Sequence, residues 1–151
     1  MSRENVEIVQ RFFNAVERLL QAWRPEGSLL DAMKGGDVPP EARETLGYMN
    51  PDVEWNPAFS SETYHGPLEI ARGWDELLDA AGNYSLKLLE VTDLDSDRVL
   101  AVFGPSLEGR TSGIQVDAAI FAVVTLRDGL IVRLDEHLDR RDALEAAGLS
   151  E

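Results

Sequence analysis

Residues 113–139, GIQVDAAIFAVVTLRDGLIVRLDEHLD, hold two alternating apolar runs on either side of Asp128-Gly129. An Asp-Gly pair between alternating runs marks a hairpin, because both positions accept the left-handed backbone that a tight turn requires. Two registers compete. A two-residue loop pairs Leu126 with Ile131 and sets Leu134 on the face of Val123, whereas a three-residue loop with a bulge at Gly129 pairs Leu126 with Leu130. The second register gathers Ala118, Ile120, Ala122, Val124 and Leu126 with Leu130, Val132, Leu134 and Leu138 on one nearly apolar face, and is selected for that reason. One residue breaks this face: Glu136, expected across from Ile120. The other face mixes Phe121, Val123 and Thr125 with Arg133, Asp135 and His137, a pattern that suits solvent or a subunit interface.

A carboxylate on the core side of a sheet is costly unless it is paired, protonated or turned to a polar cavity, since unpaired burial raises its pKa. Glu136 is therefore the leading candidate for a catalytic acid/base. The plainer alternative places it at the sheet rim, reaching solvent.

Upstream, Val6, Val9, Phe12, Phe13, Val16, Leu19, Leu20 and Trp23 recur at helical spacing. They predict an amphipathic first helix, ended by Arg24-Pro25 and Gly27. A short helix over 28–34 is expected before Gly35-Gly36, and another starts at Pro40 and runs to about residue 48. The glycines and prolines between 24 and 40 suggest a helical insertion or lid at about 19–40 within a single domain spanning 1–151. A strand over 52–56 and a loop over 58–66 precede a helix that begins at Pro67, carries Ile70, Trp74, Leu77 and Leu78 on one stripe, and stops at Gly82. Alternation then predicts strands over 84–91, 99–103, 114–126 and 130–138, and a last helix over 141–147 stopped by Gly148. Helices followed by antiparallel strands give an α+β fold with helices on one face of a curved sheet.

Twenty-eight acidic against 14 basic residues leave a formal charge of −14, which repels phosphate backbones and argues against nucleic acid as a partner. No apolar run reaches the roughly 20 residues of a membrane span, and a cytoplasmic location is expected. With no cysteine, there is neither a disulfide nor a thiolate nucleophile or metal ligand. His65 and His137 are the only histidines, so neither a catalytic triad nor a multi-histidine metal site is expected.

The stretches SRENVEIVQRFFNAV, NPDVEW, YHGPLEIARGW and LRDGLIVRLDEHLDRRDALEAAGL, in this order, resemble the SnoaL-like, polyketide cyclase-like branch of the nuclear-transport-factor-2-like superfamily. The resemblance implies a cone-shaped half-barrel around an apolar pocket, often dimeric through the outer face of the sheet. It also implies an acidic general acid/base on the last strand within a His-x-Asp pattern. That pattern falls here on Leu134 and Glu136, so the acid is kept and the histidine is lost. Ketosteroid isomerases, which share the fold, place an oxyanion-hole tyrosine where this chain has Phe12 and a general-base aspartate where it has Asn56. Neither of those chemistries is available here.

The resemblance thus implies a small apolar molecule as partner and a homodimer, with cofactor-independent cyclase or isomerase chemistry on a carbonyl substrate. The alternative is a non-catalytic domain for hydrophobic-ligand binding or dimerisation. Beside Glu136, the expected pocket residues are Phe12, Trp55, Asn56, Tyr64, His65, Trp74, Ile120 and Leu134. Asn56 either orients a ligand carbonyl or caps its strand before Pro57. Trp55 is a core or interface residue or else stacks on a ligand, and Trp74 is either core or pocket wall. His65 and Tyr64 belong to the pocket mouth or to an exposed loop.

Overall fold

The computed structural model describes residues 2–22, 28–36, 38–58, 60–109, 115–117 and 119–149. Trp23, Arg24, Pro25, Gly27, Ile114 and Ala118, used in the sequence reading, lie outside these residues.

The apolar stripe of the first segment forms α1 (Ser2–Ala22), whose Val9, Phe12, Phe13 and Val16 are buried. Two polar contacts fix its pose: Asn5 Nδ2 donates to the Ser96 carbonyl at 3.0 Å, and Glu17 accepts the Leu88 N–H at 3.0 Å. Next comes α2 (Leu29–Gly35), capped by Ser28 at its start and closed by Gly36 at φ 77°. Its successor α3 (Pro40–Gly47) begins at a proline, as a first helical turn permits.

The strands β1 (Met49–Asn56) and β2 (Tyr64–His65) lead into α4 (Gly66–Ala80), which passes straight into β3 (Ala81–Asp93). Gly82 therefore lies inside a strand instead of terminating the helix. The chain continues through β4 (Arg98–Gly109), β5 (Gln115–Asp117), β6 (Ile120–Arg127), β7 (Leu130–His137) and α5 (Arg140–Ala146), the last capped by Asp139. The single strand expected over 114–126 is thus two, with β5 and β6 both pairing β4.

The seven strands make one sheet in the order β2-β1-β7-β6-β4-β3, with β5 also on β4, curved around the helices as an α+β cone. Pairing is antiparallel except between β1 and β7, which run parallel, so the sheet is mixed where an antiparallel one was expected. Among the described residues no helix is long and apolar enough to cross a membrane.

The selected register, with Leu126 on Leu130, does not form: the turn takes the two-residue loop, and a bulge beyond it sets a third register. Asp128 at φ 54° and Gly129 at φ 78° make a two-residue turn that pairs Arg127 with Leu130 and Leu126 with Ile131. A register shift then follows, so that Thr125 meets Arg133, Val124 meets Leu134, and Glu136 faces Ala122, not Ile120. One extra residue in β7 reverses which alternate residues point inward. Ile131 consequently fills the core that Leu130 and Val132 were expected to fill, while Leu134 and Glu136 keep their inward direction. Leu138 is exposed.

Inside the cone, α1 packs on β3 and β4, and α4 packs on β1. The approach of α4 depends on Gly73: a Cβ there would stand 2.8 Å from Trp55 Cζ3 and 2.9 Å from Tyr64 Cε1. These rings lie 5.2 Å apart and Trp55 also stacks on Trp74 at 5.8 Å, so neither ring has room to retreat. Exchanging glycine for alanine inside a helix ordinarily stabilises by about 1 kcal/mol. Overpacking costs about 1–3 kcal/mol, and at contacts this short it is the larger effect. The Gly73→Ala variant is expected to be destabilised by about 1–2 kcal/mol, read as a lower urea midpoint; an unchanged or higher midpoint would show that α4 can shift.

Candidate functional site

Three local facts bring Glu136 to the site. Strand alternation after the bulge turns it inward, the parallel pairing of β1 with β7 sets Trp55 beside Leu134, and the chain leaving β1 brings the Ala58 N–H over the carboxyl. Trp55 Nε1 donates to Glu136 Oε2 at 2.9 Å, and the Ala58 N–H donates to Oε1 at 3.0 Å. Glu136 retains some accessible surface because it borders two hollows, one on each side of the sheet. Its carboxyl is nevertheless strongly desolvated. Burial raises its pKa from 4.5 to about 7, against the opposing effect of the Ala58 and Trp55 hydrogen bonds. At neutral pH the group is divided between acid and carboxylate, and each oxygen keeps a lone pair beyond the bond it accepts.

The inner hollow is bounded by Phe12 and Phe13 of α1, Ile70 and Trp74 of α4, and Trp55, Ile120 and Leu134 of the sheet, with Glu136 the one ionisable side chain among the described residues that line it. Its volume is about 50 Å³. A water needs about 10–15 Å³ on this measure, so the hollow accommodates a few waters, far below the ~300–1,000 Å³ of drug-sized sites. Aromatic rings occupy most of the cone: Phe12 meets Phe13 edge-on at 5.1 Å, and Phe13 lies 5.1 Å from Phe103.

Of the residues singled out in the sequence, Phe12, Trp55, Trp74, Ile120, Leu134 and Glu136 thus border one hollow. Asn56, Tyr64 and His65 do not. Asn56 lies on the outer face, donating to Asp135 at 2.7 Å and Glu54 at 2.9 Å and accepting from Thr63 at 2.6 Å. The cavity-facing residue of β1 is Trp55, so the Asn56 amide is unavailable to a ligand in the cone. Tyr64 is buried, and its hydroxyl donates to Glu76 at 2.9 Å. Burial and, after it, the Glu76 carboxylate push its phenol pKa upward. His65 is largely exposed, with Nδ1 3.9 Å from Glu54.

The sequence reading missed the Ala58 amide, a backbone donor that no side-chain pattern reveals. It also missed Met49, Thr45 and Leu86 in the wall. Among the described residues no group of three or more His, Cys, Asp or Glu side chains could hold a metal ion.

The sequence pattern of the SnoaL-like domain matches residues 28–134. The chain belongs to this family. No curated protein sequence matches it. Solved structures share the fold at low identity. Bal32a, from a soil-derived mobile gene cassette, is 17% identical with a TM-score of 0.64, over 94% of each chain. A putative SnoaL-like polyketide cyclase from Jannaschia sp. CCS1 is 19% identical with a TM-score of 0.60, over 91% of this chain and 86% of its own. TerC, co-crystallised with polyporic acid, is 18% identical with a TM-score of 0.58, over 90% of this chain and 92% of its own.

The raised pKa of Glu136 makes stability depend on pH in a definite direction. Between about pH 4.5 and 7 the unfolded chain has released this proton while the folded chain retains it, so stability falls as pH rises through that window. The full difference is on the order of 3 kcal/mol. The Glu136→Gln variant lacks this term. Its stability relative to wild type should therefore improve by up to about 3 kcal/mol between pH 4.5 and 8 in urea titrations. A pH-independent difference would mean that Glu136 titrates as an ordinary surface carboxyl.

Proposed function

We infer that this SnoaL-like protein binds a small apolar carbonyl compound in the cone and uses Glu136 as general acid/base on it, as a cofactor-independent cyclase or isomerase. One observation carries the reading: a desolvated carboxyl, oriented by Trp55 and Ala58 and poised near neutral pH, in a wall that is otherwise uncharged and mostly apolar among the described residues. A catalytic base works best with a pKa near the operating pH, and an apolar site otherwise gives no reason to bury one. In its carboxylate form Glu136 takes a proton from a carbon next to the carbonyl, leaving an enolate. The resulting acid returns that proton to the same or another carbon, so the group ends as it began. Related structures lend further support: one relative is called a putative polyketide cyclase, and TerC was crystallised with polyporic acid.

A non-catalytic binding role is the second reading. Its support is the absence, among the described residues lining the hollow, of a second ionisable group to stabilise an enolate; Phe12 stands where the isomerases have a tyrosine. Exchange of the α-protons of cyclohexanone in D₂O, followed by NMR, separates the two. Catalysis predicts exchange above buffer that falls about 10²–10⁴-fold in Glu136→Gln. Exchange at the buffer rate, with cyclohexanone still bound, would leave the binding role alone.

We also infer a homodimer through the outer face. A hollow of about 450 Å³ lies there between β7 and the end of α5, bordered by Arg133, Asp135 and His137. Within it His137 Nε2 is buried without a hydrogen-bond partner among the described residues. Light scattering should give twice the 16.7 kDa chain mass, and Thr125→Arg, which sets a second cation beside Arg133, should shift the mass toward monomer. A monomeric wild type would overturn this assembly.

A further inference from the structure

A second, smaller hollow of about 20 Å³ lies beneath α2, walled by Leu29 and Met33 of that helix and by Leu19, Ala42 and Ala71 of its neighbours. It is separated from the Glu136 cavity only by Val16, Thr45, Met49, Ile70 and Trp74, which border both. Four of these five are apolar. The fifth, Thr45, spends its hydroxyl on the Glu41 carbonyl at 2.9 Å. A molecule extending from Glu136 toward α2 therefore meets one group able to exchange a proton, at its first end, and beyond it a mostly apolar wall that offers no free donor among the described residues.

The separating wall and the roof can both yield. Met49 and Met33 are unbranched and repack at low cost. In α2 only Leu29 is fully buried, with Leu30 and Met33 partly so. One carboxylate of α4 gathers the start of the helix: Asp75 accepts from Ser28 Oγ at 2.8 Å, from the Leu29 N–H at 2.8 Å and from the Leu30 N–H at 3.0 Å.

We propose that the ligand is an elongated apolar molecule with one neutral hydrogen-bonding end group, seated with that group at Glu136 and its tail beneath α2, which moves outward to admit it. The proposal rests on the preceding reading of the Glu136 cavity as a ligand site. It adds the length of the ligand and the place of its tail. A carboxylate end group is disfavoured, since its charge would be desolvated in a wall that offers no cation among the described residues.

Binding of straight-chain 2-alkanones from 2-pentanone to 2-undecanone, measured by calorimetry at pH 6, where Glu136 holds a proton to donate to the carbonyl, tests it. Affinity should rise about fourfold per added methylene and then level off. Ala71→Val and Ala42→Val, which fill the hollow beneath α2, should bring the levelling to shorter chains, with thermal melting to confirm folding. Asp75→Ala, which releases α2, should take up 2-undecanone faster than wild type. Equal affinity along the series, the same levelling point in both filled variants, or an unchanged uptake rate in Asp75→Ala would each overturn the proposal. So would a straight-chain carboxylate that binds as tightly as the ketone of equal length. Length-independent binding that still weakens in Glu136→Gln would overturn the tail site and leave the Glu136 reading standing; the absence of any ketone binding would overturn both.

Discussion

The bond from the Trp55 indole N–H to the Glu136 carboxyl ties two otherwise conflicting demands together. A sheet wrapped around helices needs an apolar inner face, and a carboxyl on that face is tolerated only if donors meet it or it keeps its proton. Trp55 supplies a ring large enough to continue the apolar wall and one N–H placed 2.9 Å from the acid. With the Ala58 amide it holds both carboxyl oxygens in place while leaving the group's pKa near 7. Further donors would drive the pKa down and fix the carboxylate, and their absence would leave a neutral acid with no fixed orientation.

The same tryptophan fixes the packing around it. Its ring stacks on Trp74 and meets Tyr64 at a tilt, and this cluster fits only because α4 presents Gly73 to it. Close approach of α4 in turn brings Asp75 to the start of α2, where three donors converge on it. Stacked rings, helix position and clamp are therefore linked, and the roof of the cavity rests on the same helix as its wall. The price of such tight packing is a small hollow, so a ligand must displace protein, and the thinly held α2 offers the least resistance.

On the other side of the sheet the chemistry is different. Asn56, Asp135, Arg133 and Glu54 satisfy one another there, while Leu100, Val102 and Val123 are covered by Ala143 of α5. Alternation along β1 and β7 keeps these two environments apart, with Trp55 and Glu136 inside and Asn56 and Asp135 outside.

The sequence by itself determined the helices, the hairpin at Asp128-Gly129 and the inward direction of Glu136, because periodicity and turn chemistry are local and the apolar face tolerates few alternatives. It also singled out Phe12, Trp74 and Leu134, whose spacing places them on buried stripes. Only the tertiary structure decided the bulge in β7, the parallel pairing of β1 with β7 and the outward turn of Asn56. Each of these depends on which strand becomes whose neighbour, and a pattern of twos and threes along the chain does not encode that. The bulge shows why: one extra residue reverses the inward set, so Ile131 replaces Leu130 and Val132 in the core while Glu136 stays where alternation put it. The donors that orient Glu136 come from 78 and 81 residues away. One is a backbone amide that every non-proline residue possesses, so folding alone could give it a role.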